Sequence, residues 1–220
     1  RHRAVQARKK GIDFVAAQLA DTDRTGRLGS FTAGIANWVT DENNKLTRPA
    51  LQKYADIHHG ARLPRYDGET FETRARREGA EVNAEAPAFG KRKAVLYATC
   101  FVNFNNTGIG AASRAVLAIN GVETEVVHPA CCGMPKLELG DLETVEKLKN
   151  VNIPPLAKLA KAGYAILTPI PSCTLMFKQE LPLMFPGDAD VQAVKAAMFD
   201  PFEYFRSEEH TSELQSLAYL

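Results

Sequence analysis

The sequence is poor in several features that would each have fixed a class of protein. No apolar run approaches the roughly 20 residues that cross a bilayer, so no membrane span is expected. The net charge is +1, so no global field selects nucleic acid or a membrane surface. Only 4 of 220 residues are cysteine, too few for a disulfide scaffold. None of them forms the C-x2-C pair that structural zinc sites commonly use. The glycine-rich stretch TGIGAAS lacks the third glycine of a dinucleotide fingerprint, and a seven-residue loop separates Cys100 from Gly108. A tight helix start or helix–sheet packing accounts for those glycines better than phosphate binding. The chain begins at Arg1 with no apolar signal-peptide core after it, and it reads as an internal fragment. The expected location is the cytoplasm, with a peripheral position at the cytoplasmic face of the membrane as an extension of that reading.

What remains is ordinary soluble material in two unlike halves. The chain is 45% hydrophobic, enough for a core, and 24% charged. Residues 1–20 begin basic and continue with Ile12, Phe14, Val15 and Leu19 at helical spacing, interrupted by Gly11. Asp21, Thr22 and Asp23 can cap a second helix, on which Leu28, Phe31, Ile35 and Trp38 share a face. A short third helix is expected over 47–56. Residues 60–90 show no apolar period and carry Pro64 and Gly68, so they read as an extended connector ending in a polar, Ala-rich linker over 79–90. This half reads as a helical adaptor with a solvated charged surface. A sharper reading makes it a docking surface for a partner subunit, with Arg1–Lys10 near acidic protein or lipid headgroups. Trp38 is expected as a core or interface anchor. His58 and His59 are adjacent, so they point to different faces of a helix and do not form a metal pair.

From Lys91 the pattern changes to α/β. KAVLYATC, the stretch Glu123–His128 and YAILTPIPSC read as buried strands. Between them lie a helix over 107–119 and a helical region on both sides of a break at Pro154–Pro155. That region ends in Lys158, Lys161 and the C-cap Gly163. A helix from Thr174 is ended or kinked by Pro182, and a last helix covers Asp190–Phe199. Strand, helix, strand, helix, strand is the order of right-handed βαβ units around a parallel sheet, an α/β fold.

That topology has a chemical consequence. Cys100, Cys131, Cys132 and Cys173 all follow the carboxyl ends of predicted strands, where parallel sheets gather their ligands. Neighbouring strands lie about 4.8 Å apart, so four thiols converge on one edge. Four thiolates repel one another unless positive metal sits among them, and iron–sulfur clusters are usually held by four cysteine thiolates. Gly133 after the doublet lets backbone approach a bulky ligand. Pro129, Pro135, Pro169 and Pro171 stiffen the surrounding loops. Zinc competes for the same thiols. A nucleophilic cysteine is a weaker candidate, because strand alternation places His128 on the face opposite Cys131.

The strings ATCFVNFN, HPACCGMP and PSCTLMFKQELP resemble the cysteine-rich CCG domain. That domain occurs in the heterodisulfide reductases and, more similar here, in the iron–sulfur component of anaerobic glycerol-3-phosphate dehydrogenase. The resemblance covers about residues 93–205, and RAVQARKKGI and DRTGRLGSF are similar to the connector of the same proteins. It implies that Cys100, Cys131, Cys132 and Cys173 are ligands of an iron–sulfur cluster of 4Fe-4S type. Met176 stands where the family's C-x-x-C has its second cysteine, leaving four thiolates and not five. The resemblance further implies an electron-transfer subunit, not a complete enzyme, with no catalytic residue of its own. Such a subunit relays electrons from flavin dehydrogenase subunits of one complex toward membrane quinone, and no nucleic-acid partner is expected. On this reading 1–90 is an adaptor continuing a missing ferredoxin-like domain and 91–205 is a first cysteine-rich repeat. The segment 206–220 is a non-native tail, because RSEEHTSELQS resembles a translated sequencing adapter. The competing class is a structural or assembly module, with a zinc or empty cysteine site, that binds partner subunits. A third is a nucleotide-binding domain built on the GIG loop.

Overall fold

A computed structural model describes residues 2–79, 81–86 and 93–206. Most of the tail that reads as non-native, and part of the predicted linker, lie outside those residues. The sheet has four parallel strands in the order β2-β1-β3-β4. They are β1 (Ala94–Tyr97), β2 (Thr124–Val127), β3 (Ala165–Leu167) and β4 (Met198–Phe199). β1 pairs Ala94 with Thr124 on one side and with Ala165 on the other. Its central place explains its composition: Val95, Leu96 and Tyr97 have no exposed surface. A strand covered on both faces needs an unbroken apolar run.

Alternation sorts those side chains into two cores. Tyr97 and Ile166 face a cluster with Val145, Leu156, Met176, Phe177, Val191 and Val194. Those residues come from α10 (Leu142–Lys161), the helical stretch after β3 and α13 (Ala189–Ala197). Ala94, Leu96 and Leu167 face Phe71, Leu117, Val122 and Tyr204. Leu117 comes from α8 (Thr107–Ile119), the helix expected at that position.

Several expectations need correction. The last predicted helix stops at Ala197, and Met198–Phe199 adds a fourth strand beside β3. α10 runs unbroken for 20 residues through Pro154 and Pro155. Both prolines are exposed, and so are residues 150 and 151, whose carbonyls lose their amide partners to the two rings. On an exposed face those carbonyls are open to water, so the missing bonds do not force the helix to end. After β3 the helix opens at Pro171, not Thr174. It comprises α11 (Pro171–Leu175), a π-helical turn over Met176–Glu180 and α12 (Leu181–Met184). The Leu181 amide bonds to the Met176 carbonyl, and this wide turn carries the helix past Pro182.

The N-terminal half also differs in detail. Residues 2–19 form α1 (His2–Lys10) and α2 (Phe14–Leu19), parted at Gly11 (φ 75°). The second expected helix is two, α3 (Thr22–Phe31) and α4 (Ala33–Thr40), and the third is α5 (Arg48–Ala55). The stretch read as an extended connector contains α6 (Phe71–Arg77), capped by the Thr70 hydroxyl accepting from the Thr73 amide. One apolar residue anchors it. Phe71 is buried against Gly110 of α8, where a Cβ would lie 2.6 Å from the ring. Of the glycines of TGIGAAS, Gly110 therefore serves packing, against α6 and not the sheet, while Gly108 lies in the first turn of α8 beside the Asn106 side chain. α3 packs on α7 (Cys100–Phe104), and both α1 and α2 lie on α9 (Met134–Leu139), so this half covers the carboxyl edge of the sheet.

Candidate metal centre

Three connections leave that edge, and each carries cysteine. After β1 the Thr99 hydroxyl accepts from the Val102 amide and starts α7, with Cys100 as its first residue. After β2 the chain passes through Ala130, Cys131 and Cys132 to Gly133 (φ 96°), whose left-handed backbone opens α9. After β3, Cys173 lies in the first turn of α11. All four cysteines are buried and unpaired by disulfides. All four line a single cavity of about 480 Å³. Its upper wall comes from the N-terminal half, including Leu19, Thr22, Leu51, Ile57 and Tyr66. Topology thus brings together the four positions that the sequence singles out.

The sulfurs form a chain of contacts. Cys131 lies within hydrogen-bonding reach of both Cys100 and Cys132, and Cys132 within reach of Cys173. Hydrogen bonds from Cys100 and Cys132 hold the Cys131 thiol far below its ordinary range, to about 2, against the opposing effect of burial. The bond to Cys131 first, and burial second, push Cys100 up. Cys132 is pushed up by its bonds to Cys131 and Cys173 and by burial. The shifts run in opposite directions, down at Cys131 and up at Cys100 and Cys132, so the thiolate is favoured at Cys131 over those two neighbours. Two further groups approach this sulfur: the Thr22 hydroxyl, Oγ1 to Sγ 3.4 Å, and the Gly133 amide at 3.5 Å.

A rigid frame holds the doublet. Asn152 of α10 is fully buried, and its side chain accepts from the Ala130 amide (3.1 Å) and donates to the Cys131 carbonyl (2.8 Å). Tyr97 donates its hydroxyl to the Ala130 carbonyl. Burial pushes the Tyr97 pKa well up, and charge on the four nearby cysteines adds to that. Met176 is buried in the core beneath, where it packs as an apolar residue.

Two residues that the sequence marks for other places, Asp23 as a helix cap and His128 on the face opposite Cys131, also reach the site. Alternation predicts His128 on the face away from Cys131, but β2 ends at Val127 and alternation ends with it. Its buried ring sets Nδ1 against the Ala98 carbonyl and Nε2 against Asp23 Oδ1 (2.8 Å). Burial raises the Asp23 pKa, but the bond and charge of His128 and the charge of Arg27 outweigh it and hold the carboxyl below its usual value. One ligand atom each of Asp23, Cys100 and His128 lies within 4.8 Å of the others. No local pattern links these three residues, which come from separate parts of the chain. His58 and His59 stack with ring centroids 4.3 Å apart, and His59 bonds to Gln52. Among the described residues that pair belongs to no metal-ligating group.

The donor set suits an iron–sulfur cluster: four clustered thiols, one already favouring the thiolate, a backbone amide directed at sulfur and a largely apolar surround. It suits zinc less well. Among the described residues the one mixed group, Asp23–Cys100–His128, offers a single sulfur and takes Cys100 from the others.

Residues 94–178 match the family model described as the cysteine-rich (CCG) domain. That span contains all four cysteines and the first three strands, so the resemblance read from the motifs is shown there. The chain is 35% identical over 98 residues to lactate utilization protein A of Bacillus cytotoxicus and of Bacillus thuringiensis, and to lactate utilization protein A 2 of Bacillus mycoides. The match takes in 44% of this chain and 38% of each of those proteins. No solved structure matches the chain.

Proposed function

We propose that Cys100, Cys131, Cys132 and Cys173 hold an iron–sulfur cluster, of 4Fe-4S type, and that the protein works as an electron-transfer module. A single observation carries the reading: four buried, reduced thiols share one cavity at the carboxyl edge of a parallel sheet. When bound, such a cluster supplies reversible one-electron chemistry. The chain's own residues supply the rest. Asn152 and Tyr97 fix the doublet in a single backbone shape, which limits reorganisation as charge changes. Leu19, Leu51 and Ile57 give the cavity an apolar wall beside the sulfurs.

The partner in this reading is a dehydrogenase of the same complex, with a flavin accepting the substrate's hydride and with quinone at the membrane as the onward acceptor. The relatives' name points to lactate as the oxidised compound, whereas the motif strings point to glycerol 3-phosphate. Both are small hydroxy compounds, and in either case their oxidation belongs to another subunit. Among the described residues no helix is long and apolar enough to cross a membrane.

Anaerobic purification of the full chain, with iron and acid-labile sulfide analysis, tests the proposal. The expected result is stoichiometric iron and sulfide with a broad visible band bleached by reductant. Serine at any of the four positions should remove most of that iron. Zinc without sulfide would overturn the reading in favour of an assembly module, for which Asp23, Cys100 and His128 offer the mixed ligand group.

A further inference from the structure

The first turn of α3 belongs to the half that reads as an adaptor, yet it reaches the sulfurs. Thr22, its first residue, lines the same cavity as the four cysteines, with Oγ1 3.4 Å from Cys131 Sγ. Three features hold the turn in place. Asp23 is bonded to the buried ring of His128. Gly26 lies so close to Phe104 of α7 that a Cβ there would fall 2.2 Å from the ring. Phe104 in turn meets His128 edge-on, with centroids 5.5 Å apart. The approach of α3 is therefore built in by a missing side chain and by the hydrogen bond between Asp23 and the buried His128 ring.

We propose that Thr22 is a positioning residue of the sulfur site, donating its hydroxyl hydrogen to Cys131 and thereby setting the reduction potential of the cluster. The inference rests on the reading of the four cysteines as cluster ligands. A metal-bound sulfur has lost its proton and can only accept, so the hydroxyl must donate. Hydrogen bonds to cluster sulfurs favour the more negative, reduced form and raise the potential. The Gly133 amide makes a longer contact with the same sulfur, so the side-chain hydroxyl is the donor that a substitution can remove.

The test compares the wild-type chain with Thr22→Val, which keeps the shape and deletes the hydroxyl, and Thr22→Ser, which keeps the hydroxyl. Iron and sulfide content, midpoint potential and the coupling of exchangeable deuterons in pulsed EPR are measured for each. The expected result is unchanged iron in both variants, a more negative potential and a lost deuteron coupling in Thr22→Val, and both of those restored in Thr22→Ser. Iron lost from Thr22→Val but kept in Thr22→Ser also supports the proposal, because the hydroxyl is then needed to hold the site. An unchanged potential in iron-loaded Thr22→Val overturns it, as does equal loss of iron from both variants. A wild-type chain without iron and sulfide overturns the cluster reading itself, and this inference with it.

Discussion

Asn152 carries more of the site than its distance in sequence from the cysteines suggests. Its buried amide is the partner of two backbone groups in the segment that presents Cys131 and Cys132. Replacing it with the near-isosteric leucine leaves the Ala130 amide and the Cys131 carbonyl unpaired and out of reach of water. Each unpaired group costs about 1–3 kcal/mol, so Asn152→Leu should lower the urea midpoint markedly and release iron faster to a chelator. A variant with wild-type stability and iron retention would show that the loop holds its shape without this clamp. The contrast with the cysteines shows what a sequence reveals about a site. The cysteines announce themselves by type and by their place after apolar runs. Asn152, Asp23 and Thr22 are common polar residues in helices, and their roles come from partners 21 to 109 positions away. No local pattern encodes such pairings. His128 misleads for a related reason: period-2 alternation holds only while the strand lasts, and β2 ends one residue too early.

Among the elements, α13 shows how a helix end responds to acid. Its N-cap Asp188 accepts from the Asp190 and Val191 amides and pairs with Lys149 Nζ at 3.0 Å. The bond to Lys149 first, and the helix amides after it, hold its pKa below the ordinary 3.8. A group whose folded pKa is lowered contributes stability above its unfolded pKa and loses it as pH falls through the folded value. Asp188→Ala should therefore cost about 1 kcal/mol at neutral pH, the usual worth of such a cap. The gap from wild type should close as pH drops below 3.8. Urea titrations of both proteins at neutral and acid pH would show this, and a gap that persists in acid would contradict it. The elements themselves are largely legible. β1 to β3 and α8 follow from apolar runs and helical spacing, and the parallel order follows from their alternation. The misses share a cause, since each depends on context beyond its own sequence. α6 has a single buried anchor, Phe71, with no period to detect. β4 is two residues long and exists only because β3 offers an edge. Pro154, Pro155 and Pro182 read as breakers, but an exposed helix face and a π-helical turn accommodate them.

At the scale of the whole molecule, two hydrophobic patterns of similar appearance meet different fates. The runs after Lys91 become the interior of a doubly covered sheet. The stripe Leu28, Phe31, Ile35 and Trp38 shares a face, with Trp38 expected as a core or interface anchor, and that face stays out of this chain's core. Phe31 is 89% exposed, Ile35 69% and Trp38 56%. The opposite side of α3 is the one that packs, and it does so through small residues: Gly26 meets Phe104 and Gly29 meets Tyr66. Close approach by backbone delivers Thr22 and Asp23 to the sulfur site, which an apolar stripe facing inward would have prevented by bulk. Helical periodicity marks an apolar face without saying whether that face or its glycine-bearing opposite meets the core. A side chain with most of its surface in water has little burial free energy to lose, and surface substitutions usually stay within about 0.5 kcal/mol. Phe31→Gln and Trp38→Gln should therefore leave the unfolding free energy of this chain within that range. Trp38 is the only tryptophan in the sequence, so its fluorescence reports on this face alone. Acrylamide should quench it efficiently in the native protein, with little further gain in urea. Weak native quenching, or a large loss of stability in Trp38→Gln, would mean that the stripe is packed within the chain, and that α3 reaches the cysteines in some other orientation.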